Sequence, residues 1–148
     1  MTKKILAPLF VVCLSFSFLP GQTNPYGLGL IVIEPTGLTG KIWWSRTALD
    51  AAIGWSSLSG HRLHLHADYL FYKYSLHADS RVDFSFYLGA GGKVIFEEHD
   101  NAWFRFPLGI DFLSKKSPVN VFFEVVPSFN FKELDLVGAL GLRYTFCR

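Results

Sequence analysis

Two cysteines in 148 residues give this chain little covalent bracing. Cys13 falls in an apolar opening stretch and Cys147 stands next to last. Once a leader is removed no internal disulfide can form, and neither a C-x-x-C redox motif nor a zinc knuckle has its residues. An excess of one charge is also missing: Lys and Arg number 14 against 12 Asp and Glu. Lys3 and Lys4 both lie in the opening stretch, so the remainder is near neutral and lacks the basic surplus of a nucleic-acid binder. After that stretch no apolar run reaches the roughly 18 residues a transmembrane helix needs, and helical periodicity is weak throughout. Any passage through a membrane must therefore use strands. Aromatic residues, 15 of them Phe, are plentiful, and they suit pleated sheet better than helix.

The opening stretch has the form of a secretory signal: a basic pair, Lys3 and Lys4, then an apolar run from Ile5 to Leu19 broken only by Pro8, Ser15 and Ser17. The expected division is a cleaved signal over 1–22, with cleavage near Pro20 to Thr23, and one domain over 23–148. An uncleaved anchor helix is the alternative, against which the run is short and interrupted by proline. Lipid attachment at Cys13 is another, although Phe10, Val11 and Val12 precede it in place of a Leu-small-small pattern. About 125 residues remain for a single core or a single barrel.

Period-two alternation and turn residues predict eight strands, over 27–34, 40–46, 48–57, 62–75, 81–97, 102–113, 119–131 and 133–146, joined by hairpin-sized turns. The last is the clearest. Leu134, Leu136, Leu140, Leu142, Tyr144 and Phe146 share one face, and Asp135, Val137, Ala139, Gly141, Arg143 and Thr145 share the other. Strands four to seven repeat the division, with Leu63, Leu65, Tyr69, Phe71, Phe84, Phe86, Phe104, Phe106, Phe112 and Phe123 on the apolar side. The opposite face collects Lys41, Asp50, His64, His66, Asp68, Asp83, Arg105, Asp111, Glu124 and Arg143, which are expected to form a paired polar plug. A soluble barrel would turn its apolar side chains inward, so this pattern is that of a barrel turned inside out, with lipid around it. Gly89, Gly91, Gly92, Gly109, Gly138 and Gly141 are expected to relieve crowding in so small a ring. Trp43, Trp44, Trp55, Tyr69, Tyr72, Tyr74, Trp103 and Tyr144 are expected to form aromatic belts at the strand ends.

The segments Gly29 to Lys41, Ala48 to Asp50 and Leu63 to Leu70 resemble a group of small, mostly uncharacterised outer-membrane barrel proteins marked by a Glu-Pro-Thr-Gly turn and a Leu-His-Leu-His-x-Asp-Tyr strand. That resemblance spans roughly residues 27 to 146, and more broadly the chain resembles the eight-stranded OmpA/OmpX type. That resemblance implies an all-β, antiparallel, up-and-down transmembrane barrel in the outer membrane of a double-membraned bacterium, with both termini in the periplasm. It implies no catalytic residues and no cofactor. The chain departs from the pattern at Ile33, where a small residue is expected before Glu34, and at Cys147-Arg148, which follow the aromatic that usually ends the last strand.

Sharper chemistry has thin support. His64 and His66 point the same way from one strand, with Asp68 next on that face, so a metal site would need a third ligand such as Glu124 or Asp83 from across the lumen. Ser59, His61, His99 and Asp100 lie in predicted connectors, but no Gly-x-Ser-x-Gly elbow accompanies them. Gly37-Leu-Thr-Gly40-Lys41 lacks the spacing of a phosphate loop and the helix after it. Lys115-Lys116 reads as a solvated turn that could meet anionic headgroups. The expected role is structural or interaction-based and not enzymatic. Outer-membrane lipid, the barrel assembly machinery and periplasmic chaperones are the expected partners, nucleic acid is not, and oligomeric state is left open. A narrow ion or small-solute pore, or a soluble periplasmic β-protein, are the alternatives.

Overall fold

Alternating side chains become a closed sheet when the last strand finds the first. The computed structural model describes residues 25–56, 62–77, 80–97, 99 and 101–146. The expected signal segment, Cys13, Cys147 and Arg148 lie outside the described residues. Nine segments form: β1 (Tyr26–Ile33), β2 (Thr36–Trp44), β3 (Thr47–Ser56), β4 (Arg62–His77), β5 (Val82–Phe96), β6 (Asn101–Arg105), β7 (Leu108–Ser114), β8 (Val119–Phe129) and β9 (Leu134–Phe146). Each pairs antiparallel with its neighbour in the chain, apart from β6 and β7, and β1 pairs with β9 from Tyr26↔Phe146 to Ile33↔Ala139. The ring is thereby closed and has no edge.

β6 and β7 together fill one place, because β5 and β8 each pair with both. The fold is therefore an eight-stranded antiparallel barrel. The sixth strand, expected to run unbroken over 102–113, is interrupted at Phe106-Pro107 since proline has no N–H to give the ladder. The gap is stitched to both neighbours: Gly89 N–H donates to the Pro107 carbonyl at 2.8 Å and Phe106 N–H to the Pro127 carbonyl at 2.9 Å. Alternation carries through the break, with Arg105 and Pro107 buried and Phe106 and Leu108 exposed.

The second strand begins earlier than expected, at Thr36, so Glu34-Pro35 alone makes the first turn. Ile33 enters that turn at φ 92°. This is a backbone region that glycine occupies freely and a β-branched residue does not, which gives the expected small residue its physical reason. For orientation, the end of the ring where Tyr26 meets Phe146 is the terminal end and carries the turns at 45–46 and 115–118; the far end carries the turns at 34–35 and 130–133.

Exposed Leu30, Leu38, Ile53, Phe71, Leu88, Phe104, Leu108, Phe123 and Leu142 coat the outside, with an apolar residue from every segment. Aromatic rings flank the band at both ends. Tyr26 stacks on Phe146 at 5.1 Å near the terminal end, and Phe106 stacks on Phe129 at 5.7 Å near the far end. The expected belt needs correction at Trp43, Tyr72 and Trp103. These occupy inward positions in the alternation, and each meets an interior lysine. The side chain of Tyr74 lies outside the described residues.

Inside, two small apolar clusters are interleaved with polar groups: Ile31, Ala52, Phe122 and Ala139 in one, Ala48, Leu70 and Tyr87 in the other. Two cross-strand pairs explain particular glycines. Phe122 stands opposite Gly141 and Tyr87 opposite Gly109, and a Cβ on either glycine would run into the facing ring. At Gly92 and Gly138 a Cβ would meet only ordinary van der Waals contact, so these glycines relieve no crowding. Gly141→Ala is therefore expected to cost about 1–3 kcal/mol by overpacking. Gly138→Ala should stay within about 0.5 kcal/mol. Urea unfolding in detergent micelles measures both.

Candidate functional site

Period-two geometry aims the polar side chains of eight strands into one narrow lumen, and the site is built from their meeting. At the terminal half, β9 contributes Arg143, which pairs with Asp50 of β3. Its Nε and Nη2 both donate to Thr39 Oγ1, at 3.2 and 2.9 Å, and Thr39 in turn donates to Asp50 Oδ1 at 3.0 Å. The guanidinium also lies over the Phe122 ring, 3.6 Å from its centre. Lys41 of β2 donates to Asp111 of β7 at 3.2 Å. Asp111 also accepts from Asn120 at 3.2 Å and from the Tyr72 hydroxyl, and that hydroxyl accepts from Trp43 Nε1 at 3.0 Å. Lys41 sits 4.2 Å from the Tyr87 ring centre, so aromatic faces complete its shell.

Toward the far end the links thin out. Arg105 faces Asp68 at 2.9 Å, and Lys93 faces Asp135 at 3.1 Å with the Trp103 ring beneath it. His64 and His66 meet edge to face, with Nε2 of the first 3.4 Å from Nδ1 of the second. Above this layer is a partly open cavity of about 270 Å³, walled by Glu34, Arg62, His64, Lys93 and Asp135 together with Ile33, Ile95 and Leu136.

The structure thus gathers Lys41, Asp50, His64, His66, Asp68, Arg105, Asp111, Glu124 and Arg143 inside the ring, all buried. Asp83 does not join them. It stands one residue inside the start of β5 and faces Lys115 at 3.0 Å on the terminal rim. His66 Nε2 lies 3.9 Å from Asp68 Oδ2, which also faces Arg105, and among the described residues no three His, Cys, Asp or Glu side chains converge as metal ligands. Ser59, His61 and Asp100 lie outside the described residues, and His99 is exposed in its turn. Gly37, Gly40 and Lys41 are part of β2 and make no loop. Lys116 is exposed beside Lys115 at the terminal end.

Lys93, Tyr72 and Thr39 are interior groups that inspection of charge and motif passes over. Counting by twos from Asp68 reaches Tyr72, and from Tyr87 reaches Lys93, so strict parity finds both.

No protein-family model matches the chain, and no curated protein matches it in sequence. In structure it is similar to the N-terminal β-barrel domain of Pseudomonas aeruginosa OprF, with a TM-score of 0.55 and 9% identity, covering 82% of this chain and 96% of that one. The likeness is one of fold. Removing one partner of the Arg143–Asp50 pair strands a buried charge. Asp50→Ala should therefore cost about 3–5 kcal/mol, and the double variant Asp50→Leu/Arg143→Met should recover most of it. Denaturant unfolding of the three proteins in micelles provides the comparison.

Proposed function

We propose that this chain is an outer-membrane β-barrel protein of a double-membraned bacterium, of the OmpA/OmpX type, whose role is structural or interaction-based and not enzymatic. One observation supports this above the others. Where side chains are described, no charged residue takes an outward position in a strand interior, and the outward positions are apolar or small. Water would leave that outer face at a large hydrophobic cost, whereas lipid suits it. The Leu63 to Tyr69 segment, by which the chain resembles the small-barrel group, displays the rule within one strand: His64, His66 and Asp68 are buried, and Ala67 and Tyr69 are exposed.

Lipid would surround the ring, and Lys115 and Lys116 on the terminal rim suit anionic headgroups. Chain entry would need the barrel assembly machinery and periplasmic chaperones, since the apolar outer face is exposed until the ring closes in lipid. A closed role is favoured over a pore because Lys41–Asp111 and Arg143–Asp50 tie side chains across the lumen of a ring whose width only just holds them. The far-end cavity is what favours a narrow pore.

Heat-modifiable gel migration, insertion into liposomes and recovery in the outer-membrane fraction are the expected results, with silence in planar bilayers. Steady single-channel steps would establish a pore instead. Leu30→Arg, at mid-height on the outer face, should cost about 2–4 kcal/mol in bilayers. A soluble protein would tolerate that exposed arginine, so an unchanged unfolding midpoint would sink the membrane assignment.

A further inference from the structure

Charge matching differs between the two halves of the lumen. In the terminal half Lys41 and Arg143 each hold a carboxylate. In the far half Arg105 faces Asp68, although its buried Nε donates no hydrogen bond, Lys93 faces Asp135, and Arg62 faces Glu97. Two carboxylates lining this end, Glu34 from the first turn and Glu124 from β8, have no cation within ion-pair distance among the described residues, although Lys93 acts on the first and Lys41, Arg143 and Arg105 on the second from further away. The Oε2 atom of each is buried and accepts no hydrogen bond. Glu124 is 4% exposed, so its unmatched oxygen lies deep in the ring. A buried carboxylate oxygen without a donor is costly, and in a native fold it calls for a partner.

The space around these groups has two levels. Beneath the 270 Å³ cavity lies a chamber of about 10 Å³ that both Glu34 and Glu124 line; Glu34, His64 and Lys93 border both spaces. The chamber is the size of about one water molecule. The cavity above is somewhat smaller than a drug-sized pocket of roughly 300–1,000 Å³, and Ile33, Ile95 and Leu136 give it apolar walls.

We propose that the far end of the barrel binds a small organic cation carrying a primary ammonium group, its head in the chamber between Glu34 and Glu124 and its short apolar body in the cavity above. An ammonium is all donor and a carboxylate all acceptor, so one head can serve both orphaned oxygens. Its size matches the chamber, which a planar guanidinium exceeds. Small anions would meet the two unmatched carboxylates. A metal ion would want three converging ligands, which the described residues do not supply. Lys93 and Arg105 border the chamber, and each faces an acid of its own, Asp135 at 3.1 Å and Asp68 at 2.9 Å. The inference goes beyond the structural role and does not depend on where the barrel resides.

Calorimetric titration of the purified protein in micelles at neutral pH, with n-butylammonium chloride as probe and n-butanol and butyrate as controls, tests it. Saturable one-to-one binding is expected for the ammonium alone. Glu34→Gln and Glu124→Gln should each weaken binding about tenfold or more, as for loss of a charged hydrogen bond. Lys116→Gln, at the opposite end, should leave it unchanged. Glu124→Gln removes an unmatched charge and should still fold, which heat-modifiable migration checks; should it not fold, Glu34→Gln decides alone. No saturable uptake, equal uptake of butanol, or undiminished binding by folded glutamine variants would overturn the proposal, leaving a bound proton or water as the partner of Glu124.

Discussion

Arg143 ties the interior of the ring together. Its guanidinium reaches Asp50 on β3 and Thr39 on β2 from the closing strand, and lies against Phe122 of β8. A charge at that depth must be matched, so this one contact constrains which strands surround it and in what register. Sliding β9 by one residue against β1 would carry Arg143 to the outer face and Leu142 inward, exchanging every side chain of the closing strand. The Gly29↔Arg143 pairing observed at closure avoids this. Phe122, which fills the space below the guanidinium, can do so only because Gly141 stands opposite and leaves room for the ring. Charge, aromatic and glycine form one packed unit, and none of the three is explicable without the others.

From that unit the lumen changes character along its length. The terminal half is dense: Asp111 alone gathers Lys41, Tyr72 and Asn120, and Trp43 braces the tyrosine from behind. The far half is looser: His64 and His66 meet edge to face, His66 Nε2 stands 3.9 Å from Asp68 Oδ2, and among the described residues Glu34 and Glu124 have no ion pair. Ring size accounts for the density, since an eight-stranded barrel has room for its own side chains and little else. Where the inward residues of β9 shrink to Val137 and Ala139 near the far end, space opens, and the cavity forms there.

Much of this was legible in the residues. Alternation from Leu63 to Phe71 and from Leu134 to Phe146 reports which face each side chain takes, because the period of a strand is two whatever it pairs with. The pairing of β9 with β1 follows from the same argument once the outer face is apolar on both. The break at Pro107 leaves no mark on the alternation, because Phe106 and Leu108 keep their faces across it while the hydrogen-bond ladder stops. Trp43, Tyr72 and Trp103 have the residue type of a belt, although parity places them inside. Tyr72 serves Asp111, Trp43 serves Tyr72, and Trp103 underlies Lys93; each is recruited to shield a charge. Asp83 shares the inward parity of its strand yet sits so near the rim that Lys115 reaches it first.

By itself the sequence determined a strand-built chain with one apolar and one charged face, with only two cysteines, and with a period that allows the faces no exchange. Those are local properties, fixed by residue type and by the two-residue repeat. Only the tertiary structure decided which acid meets which base, that His64, His66 and Asp68 fail to converge, and that Glu34 and Glu124 are left over. Pairing across a lumen depends on the stagger between strands far apart in the chain, as Arg143 and Asp50 are, and on which ring or glycine stands between. No repeat within a single strand encodes that distance.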